Sequence, residues 1–268
     1  MPKGTKPVAA FESYVICTSP RSGSTLLCKL LAATGVSGRP GSHFHEPSLA
    51  AWLADYDLAR ADFPSERAAV GAVFDAAREE GTGETGMFGL RLQRHSFAFF
   101  MQKLDLLHPG LPDDPARFQA AFGRTLFLHL SRKNKLDQAI SFVKARQTGL
   151  WHQALDGTEL ECLSPPQEPV YDAGAIAQQM AEFTTYDAEW NAWFTAGGIA
   201  PLRMTYDALA GDPSGALGEV LDHLGCDPRI AKGIAPPVAK LADDTSRIWA
   251  ERFAAEQTNK KNSPPTKD

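Results

Sequence analysis

An α/β fold with a central, mostly parallel sheet flanked by helices is what this chain of 268 residues predicts, on two observations. Short apolar or β-branched runs alternate with longer segments of helical periodicity, the pattern of strands joined by crossover helices. A hydrophobic content of 43% supplies a core large enough for one sizeable domain. The chain therefore reads as a single domain over residues 1–268, with polar, proline-containing tails at 1–10 and 259–268 expected to be disordered.

The strand candidates are residues 14–18, 87–92, 125–130 and 201–205. The first helix is expected over 24–34, where Leu26, Leu27, Leu30 and Leu31 recur at helical spacing, Ser24 or Thr25 can cap the start, and Gly35 marks the end. Further helices are expected over 65–80, 97–107, 137–148, 173–195, 214–224 and 245–256. Two stretches read as loops. Residues 38–48 hold two prolines, two glycines and two histidines, and residues 156–169 hold three prolines with little periodicity.

Composition narrows the partners. The net charge of −5 leaves no broad basic footprint for nucleic acid, so a polyanionic ligand must be met by local cations. Cys17, Cys28, Cys162 and Cys226 are far apart with no C-x-x-C pair, which argues against structural zinc and a disulfide scaffold and for a reducing cytoplasm. The start carries Lys3, Lys6 and two prolines but no apolar core of a leader, and no stretch approaches about 20 apolar residues. Neither secretion nor a membrane span is indicated.

The segment from Tyr14 to Leu27 carries the chemistry: an apolar run, the turn Ser19-Pro20-Arg21-Ser22-Gly23-Ser24-Thr25, then a helix. First-turn N–H groups lack intrahelical acceptors, so they and the positive end of the helix dipole face whatever sits in the turn. Gly23 permits close backbone approach, Ser22, Ser24 and Thr25 add hydroxyl donors, and Arg21 adds a permanent, forked cation. A phosphate or sulfate fits there. The pattern G-x-x-x-x-G-K-[ST] is absent, which disfavours an ordinary ATP or GTP hydrolase. Arg21 follows Cys17 too closely for a cysteine-dependent phosphatase, and Cys17 reads as the apolar end of a strand. Taken alone, the turn is also compatible with a plain β-to-α connection.

This turn resembles the 5′-phosphosulfate loop of sulfotransferases that use 3′-phosphoadenosine 5′-phosphosulfate (PAPS). The nearest likeness is to the bacterial trehalose 2-sulfotransferase-like family, which has Arg where many animal cytosolic enzymes have Lys. Leu128 to Phe142 is similar to that family's 3′-phosphate element. Tyr171 to Phe194 resembles its long following helix, and Met204 to Pro213 with Leu221, Leu224 and Gly225 resembles its strand-to-helix segment. The likeness covers most of residues 13–255. It implies a P-loop-like three-layer fold, PAPS as donor, 3′,5′-adenosine bisphosphate as product, and a sugar or glycolipid hydroxyl as acceptor. It also implies cofactor binding by Pro20, Arg21, Ser22, Gly23, Ser24 and Thr25 at one end and by Arg132 and Ser141 at the 3′-phosphate. Read alone, Arg132 is equally a solvated surface Arg beside Lys133 and Lys135.

Sulfuryl transfer moves SO₃ in line and leaves charge on the departing phosphate oxygen, so Arg21 and the N–H groups of residues 22–25 suit catalysis without a metal ion. The acceptor proton needs a base. In the trehalose-sulfating relatives a carboxylate follows the Gly-x-Pro element by two residues, whereas here Gly38-Arg39-Pro40 leads to Ser42. The candidates nearby are His43 first, Glu46 second and His45 third. The H-x-H spacing of His43 and His45 lacks a third ligand, so no metal is expected. Arg91, within an apolar strand, must find a carbonyl or anionic partner, in an ion pair or in the substrate. His129, Trp190 and Trp193 read as core. The alternatives to a sulfotransferase are a kinase-like phosphoryl transferase and a nucleotide-binding protein without catalysis. A homodimer stands open beside a monomer.

Overall fold

The computed structural model describes residues 10–153, 159–162, 167–235 and 243–262. In chain order the strands are β1 (Ser13–Thr18), β2 (Phe88–Gln93), β3 (Thr125–Ser131), β4 (Leu150–Gln153), β5 (Glu159–Cys162) and β6 (Leu202–Thr205). The helices are α1 (Ser24–Ala33), α2 (Leu49–Asp55), α3 (Glu66–Thr82), α4 (Arg94–Leu107), α5 (Asp114–Phe122), α6 (Lys135–Thr148), α7 (Ala173–Ala196), α8 (Tyr206–Gly211), α9 (Pro213–His223) and α10 (Asp244–Asn262). Contacts group these elements into two units.

The first unit, Met1–Ser131 with Tyr186–Pro236, holds a four-stranded parallel sheet in the order β2-β1-β3-β6. β1 is wholly buried, as a strand with neighbours on both edges and helices on both faces must be. Side chains alternate across it. Val15 and Cys17 face an aromatic-rich cluster with Phe74, Phe100, Phe118 and Trp190, while Tyr14 and Ile16 face Leu27, Leu30 and Leu31 of α1 and Leu217 and Leu221 of α9. The register aligns Thr18 with Gln93 on one side and Leu130 on the other, so the carboxyl ends of three strands stop at one level. Ligands of parallel α/β sheets gather at that edge.

Outside β2, residues 37–42 form a strap pinned by backbone bonds. Tyr14 Oη donates to Ser37 O at 2.8 Å, Arg39 N to Gly81 O at 2.7 Å and Arg91 N to Gly41 O at 2.8 Å. Gly41 bridges Leu90 in parallel. Gly38 adopts φ +74, and a Cβ there lies 2.2 Å from Met87 O and 2.6 Å from Gly81 O. Both the backbone conformation and the space demand glycine.

The second unit, Arg132–Thr185 with Pro237–Asp268, packs Ala139, Ile140 and Val143 of α6 with Ile176 of α7 and Trp249 and Phe253 of α10. Lys144 Nζ lies 2.5 Å from Asp243 Oδ1, and the Arg252 guanidinium sits 4.0 Å over the Tyr171 ring. β4 and β5 pair antiparallel.

The four parallel strands fall where the sequence places them, within about one residue at each end. Three expectations need correction. Residues 156–169 are not loop throughout, because β5 occupies Glu159–Cys162; residues 156–158 and 163–166 lie outside the described residues. α10 runs to Asn262, so 259–262 are helical rather than disordered, while residues 1–9 and 263–268 lie outside the described residues. Gly23, and neither Ser24 nor Thr25, is the N-cap of α1. Three short helices also escape the periodicity: α2, α5 and α8 each start on a side-chain cap, from Ser48, Asp113 and Thr205. No helix among the described residues is long and apolar enough to cross a membrane.

Two glycines separate backbone strain from crowding. Gly35 has φ +67 with nothing within 4 Å of an added Cβ, whereas Gly38 is both left-handed and crowded. We expect Gly35→Ala to cost about 1–2 kcal/mol in urea unfolding and Gly38→Ala more than about 3 kcal/mol. Equal losses would mean that the strap tolerates the extra atom.

Candidate active site

The turn after β1 is braced before any ligand is considered. Thr18 Oγ1 donates its single proton to Leu130 O at 2.8 Å, which leaves the Ser22 hydroxyl to donate to Thr18 Oγ1 in a short, buried bond. Trp190 Nε1 donates to Thr18 O at 2.9 Å. The backbone then turns through two left-handed residues, Arg21 at φ +61 and Gly23 at φ +88. A non-glycine residue in that region is held there by its surroundings. A Cβ on Gly23 comes within 2.6 Å of the Tyr206 ring, so this position needs glycine for space as well as conformation. Gly23 makes no side-chain cap to α1. The first-turn N–H groups of α1 therefore open on the turn that Arg21 occupies, the arrangement that attracts an anion.

Arg91 reaches this turn from β2. Its Nε donates to Ser42 Oγ at 2.7 Å and its Nη1 to Thr25 Oγ1 at 2.7 Å, so one guanidinium ties the start of α1 to the strap. Burial pushes the Cys28 thiol up while the Arg91 charge pulls it back, which places the guanidinium on the α1 face of the sheet. The ion pair considered for Arg91 is not formed: among the described residues its side-chain partners are neutral hydroxyls.

His43 is buried and sits with Tyr56 and Phe88, its Nδ1 3.0 Å from Tyr56 Oη and its ring centroid 6.0 Å from that of Phe88. Its Nε2 is buried with no hydrogen-bond partner among the described residues. Burial holds its pKa below the usual imidazole value, with Glu80 and the Arg39 backbone opposing and the Arg91 charge adding to the lowering. Tyr56 is pushed up by burial and by the nearby Glu80 and Asp55 carboxylates. Glu46 and His45 are exposed, with His45 Nε2 3.8 Å from Glu46 Oε1. Ser42, on the strap, is thus tied to the loop, while His43 turns to the Tyr56 side.

Arg132 and Ser141 belong to the second unit. Arg132 is buried at 8% exposure, with a guanidinium nitrogen 3.6 Å from Asp137 Oδ2 and its carbonyl accepting from Lys135 Nζ at 2.7 Å. This is not a solvated surface arginine. Ser141 lies half-buried on α6, whose start is capped by the Asn134 side chain accepting from Asp137 N at 3.1 Å. His129 and Trp190 are core residues, as read. Sequence reasoning missed Tyr206 above Gly23, Trp190 as donor to Thr18, and Tyr56 beside His43. These contacts bridge 13 to 183 residues of chain, and no local pattern encodes them.

The family described as Stf0 sulphotransferase matches residues 13–256. Trehalose 2-sulfotransferase of Mycobacterium tuberculosis (strain ATCC 35801 / TMC 107 / Erdman) is 29% identical over 265 residues, covering 92% of this chain and 96% of its own. The protein of the same name from Mycolicibacterium smegmatis is 29% identical over 262 residues, with 90% and 94% covered. The sulfotransferase domain of the Synechococcus PCC 7002 olefin synthase superposes with a TM-score of 0.40 at 17% identity, over 93% of this chain and 97% of that one.

The lowered pKa of His43 sets a pH dependence of stability. The unfolded imidazole titrates near 6.5 and the folded one lower, so below about pH 6.5 the unfolded chain binds the extra proton and stability falls as pH drops toward the folded value. Melting temperatures measured from about pH 7.5 to 5.5 should fall, and His43→Gln, which keeps a partner for Tyr56 but does not titrate, should flatten that slope. Identical slopes would assign the effect to other groups.

Proposed function

Because the chain belongs to the Stf0 sulphotransferase family, we propose that this sulfotransferase takes its sulfuryl group from PAPS and delivers it to a carbohydrate or glycolipid hydroxyl. The observation that carries the donor assignment is the braced turn itself: left-handed Arg21 and Gly23 before an α1 start without a side-chain cap. The relatives named for trehalose make a disaccharide the first acceptor to try.

Bound PAPS supplies a sulfuryl group whose sulfur–oxygen bond to phosphate breaks as the acceptor oxygen bonds to sulfur, the electron pair staying on the phosphate. Arg21 and the N–H groups of Ser22, Gly23, Ser24 and Thr25 stabilise the charge that grows on that phosphate, with Pro20 shaping the turn. Ser22 acts through its backbone, since its hydroxyl is committed to Thr18. Arg132 and Ser141 hold the 3′-phosphate, where a buried guanidinium gives a strong charge-assisted bond. His43 takes the acceptor proton. Burial keeps it neutral near pH 7 and Tyr56 holds the ring at Nδ1, which supports its role as the base. Glu46 is the second candidate, with an exposed carboxylate.

Thermal-shift titration separates donor classes. 3′,5′-Adenosine bisphosphate should stabilise the protein and ATP with Mg²⁺ should not; the reverse would favour a phosphoryl transferase. Arg21→Ala should lower sulfuryl transfer by about a hundredfold or more, while Arg132→Ala should mainly weaken bisphosphate binding. His43→Ala should reduce kcat with the bisphosphate affinity kept. If Glu46→Ala has that effect instead, the base is the carboxylate.

A further inference from the structure

We propose that Arg91 is a second cation of the donor site, a catalytic residue that grips the oxygens of the sulfuryl group itself. The inference rests on the assignment of the Ser19–Thr25 turn as the donor loop. Arg91 is half-buried on β2 and donates to Thr25 Oγ1, a hydroxyl of that loop. A guanidinium is permanently charged and donor-only, and removing it from water is costly without an anion. Among the described residues Arg91 has two neutral hydroxyl partners and no carboxylate within ion-pair distance, and those two bonds leave further N–H groups of the fork unused. Three other cations of the first unit that are buried or half-buried do have carboxylates: Lys103 with Glu66, Arg117 with Asp105 and Arg94 with Glu189. Arg91 differs from these three, and it does so beside the loop that collects donors for an anion.

Ser42 gives the arrangement its sense. A carboxylate at this position would pair with Arg91 and neutralise it. The serine hydroxyl instead accepts one N–H at 2.7 Å and fixes the plane of the fork while leaving its charge uncompensated. The Arg91 backbone is fixed as well, through its N–H to Gly41 O at 2.8 Å. The charge is thus preorganised from the strap and aimed along the Thr25 side of the loop. Arg21 serves the phosphate that is left behind, and Arg91 serves the SO₃ unit as it passes to the acceptor oxygen. No proton moves to or from Arg91.

Calorimetric titration of the full chain with two probes tests this without an acceptor. PAPS carries the sulfuryl group and 3′,5′-adenosine bisphosphate does not. Arg91→Gln should weaken PAPS binding about tenfold or more and leave the bisphosphate within twofold. Arg91→Lys, which keeps the charge but loses the fork, should fall between. Ser42→Ala should weaken PAPS severalfold with the bisphosphate unchanged, and serves if Arg91→Gln does not fold. Parallel loss of both affinities would show a merely structural tie, and unchanged affinity for both would show no contact; either overturns the proposal. A wild-type protein that binds neither probe overturns the donor assignment and this inference with it, whereas one that binds the bisphosphate but gives unaltered PAPS selectivity in every variant overturns the inference alone.

Discussion

The site depends on how the end of β1 is fastened. Thr18 is fully buried, its hydroxyl bonded to the neighbouring strand at Leu130 O and to Ser22, its carbonyl to the Trp190 indole. Polar groups in such a place are costly unless satisfied, and each of these bonds is worth more there than at the surface. Together they set the point and direction at which the chain leaves the sheet. The left-handed conformation of Arg21 follows from that constraint, as does the glycine at position 23 beneath Tyr206. The shape of the proposed anion cradle is a consequence of backbone geometry imposed by the core.

The parallel strands and α1 were legible because each is decided locally, by short apolar runs and by leucines at helical spacing. The loop was legible for a related reason: small residues, one cation and a helix start occur together within a few positions. What escaped was settled across the fold. β4 and β5 pair with each other and are too short to show a period, and α2, α5 and α8 are set by single capping residues rather than by an apolar stripe. The partners of Arg91 were open for the same reason. A strand arginine announces that it needs acceptors, yet only the pinned strap at Gly41 decides that one of them is Ser42.

A serine at position 42, where the resemblance implied a carboxylate, is a change in charge beside Arg91. With a hydroxyl opposite Arg91, the strap contributes geometry and no negative potential. On the proposed function, the base lies among residues beyond the strap. His43, held by Tyr56, and the exposed Glu46 and His45 are the groups within a few residues.

The placement of β1 and β2 in the sheet gives the two halves of this chemistry different mechanical settings. β1 is interior, flanked by β2 and β3, whereas β2 is an edge strand whose outer side, among the described residues, is bridged at Gly41. Amides of an interior strand open to solvent only with the whole unit, while an edge and its strap can fray in a smaller, cheaper opening. The turn after β1 is therefore expected to exchange its supporting amides more slowly than the strap beside β2. Arg91 is the link between the two settings, since its guanidinium bonds Ser42 on the strap and Thr25 at the start of α1.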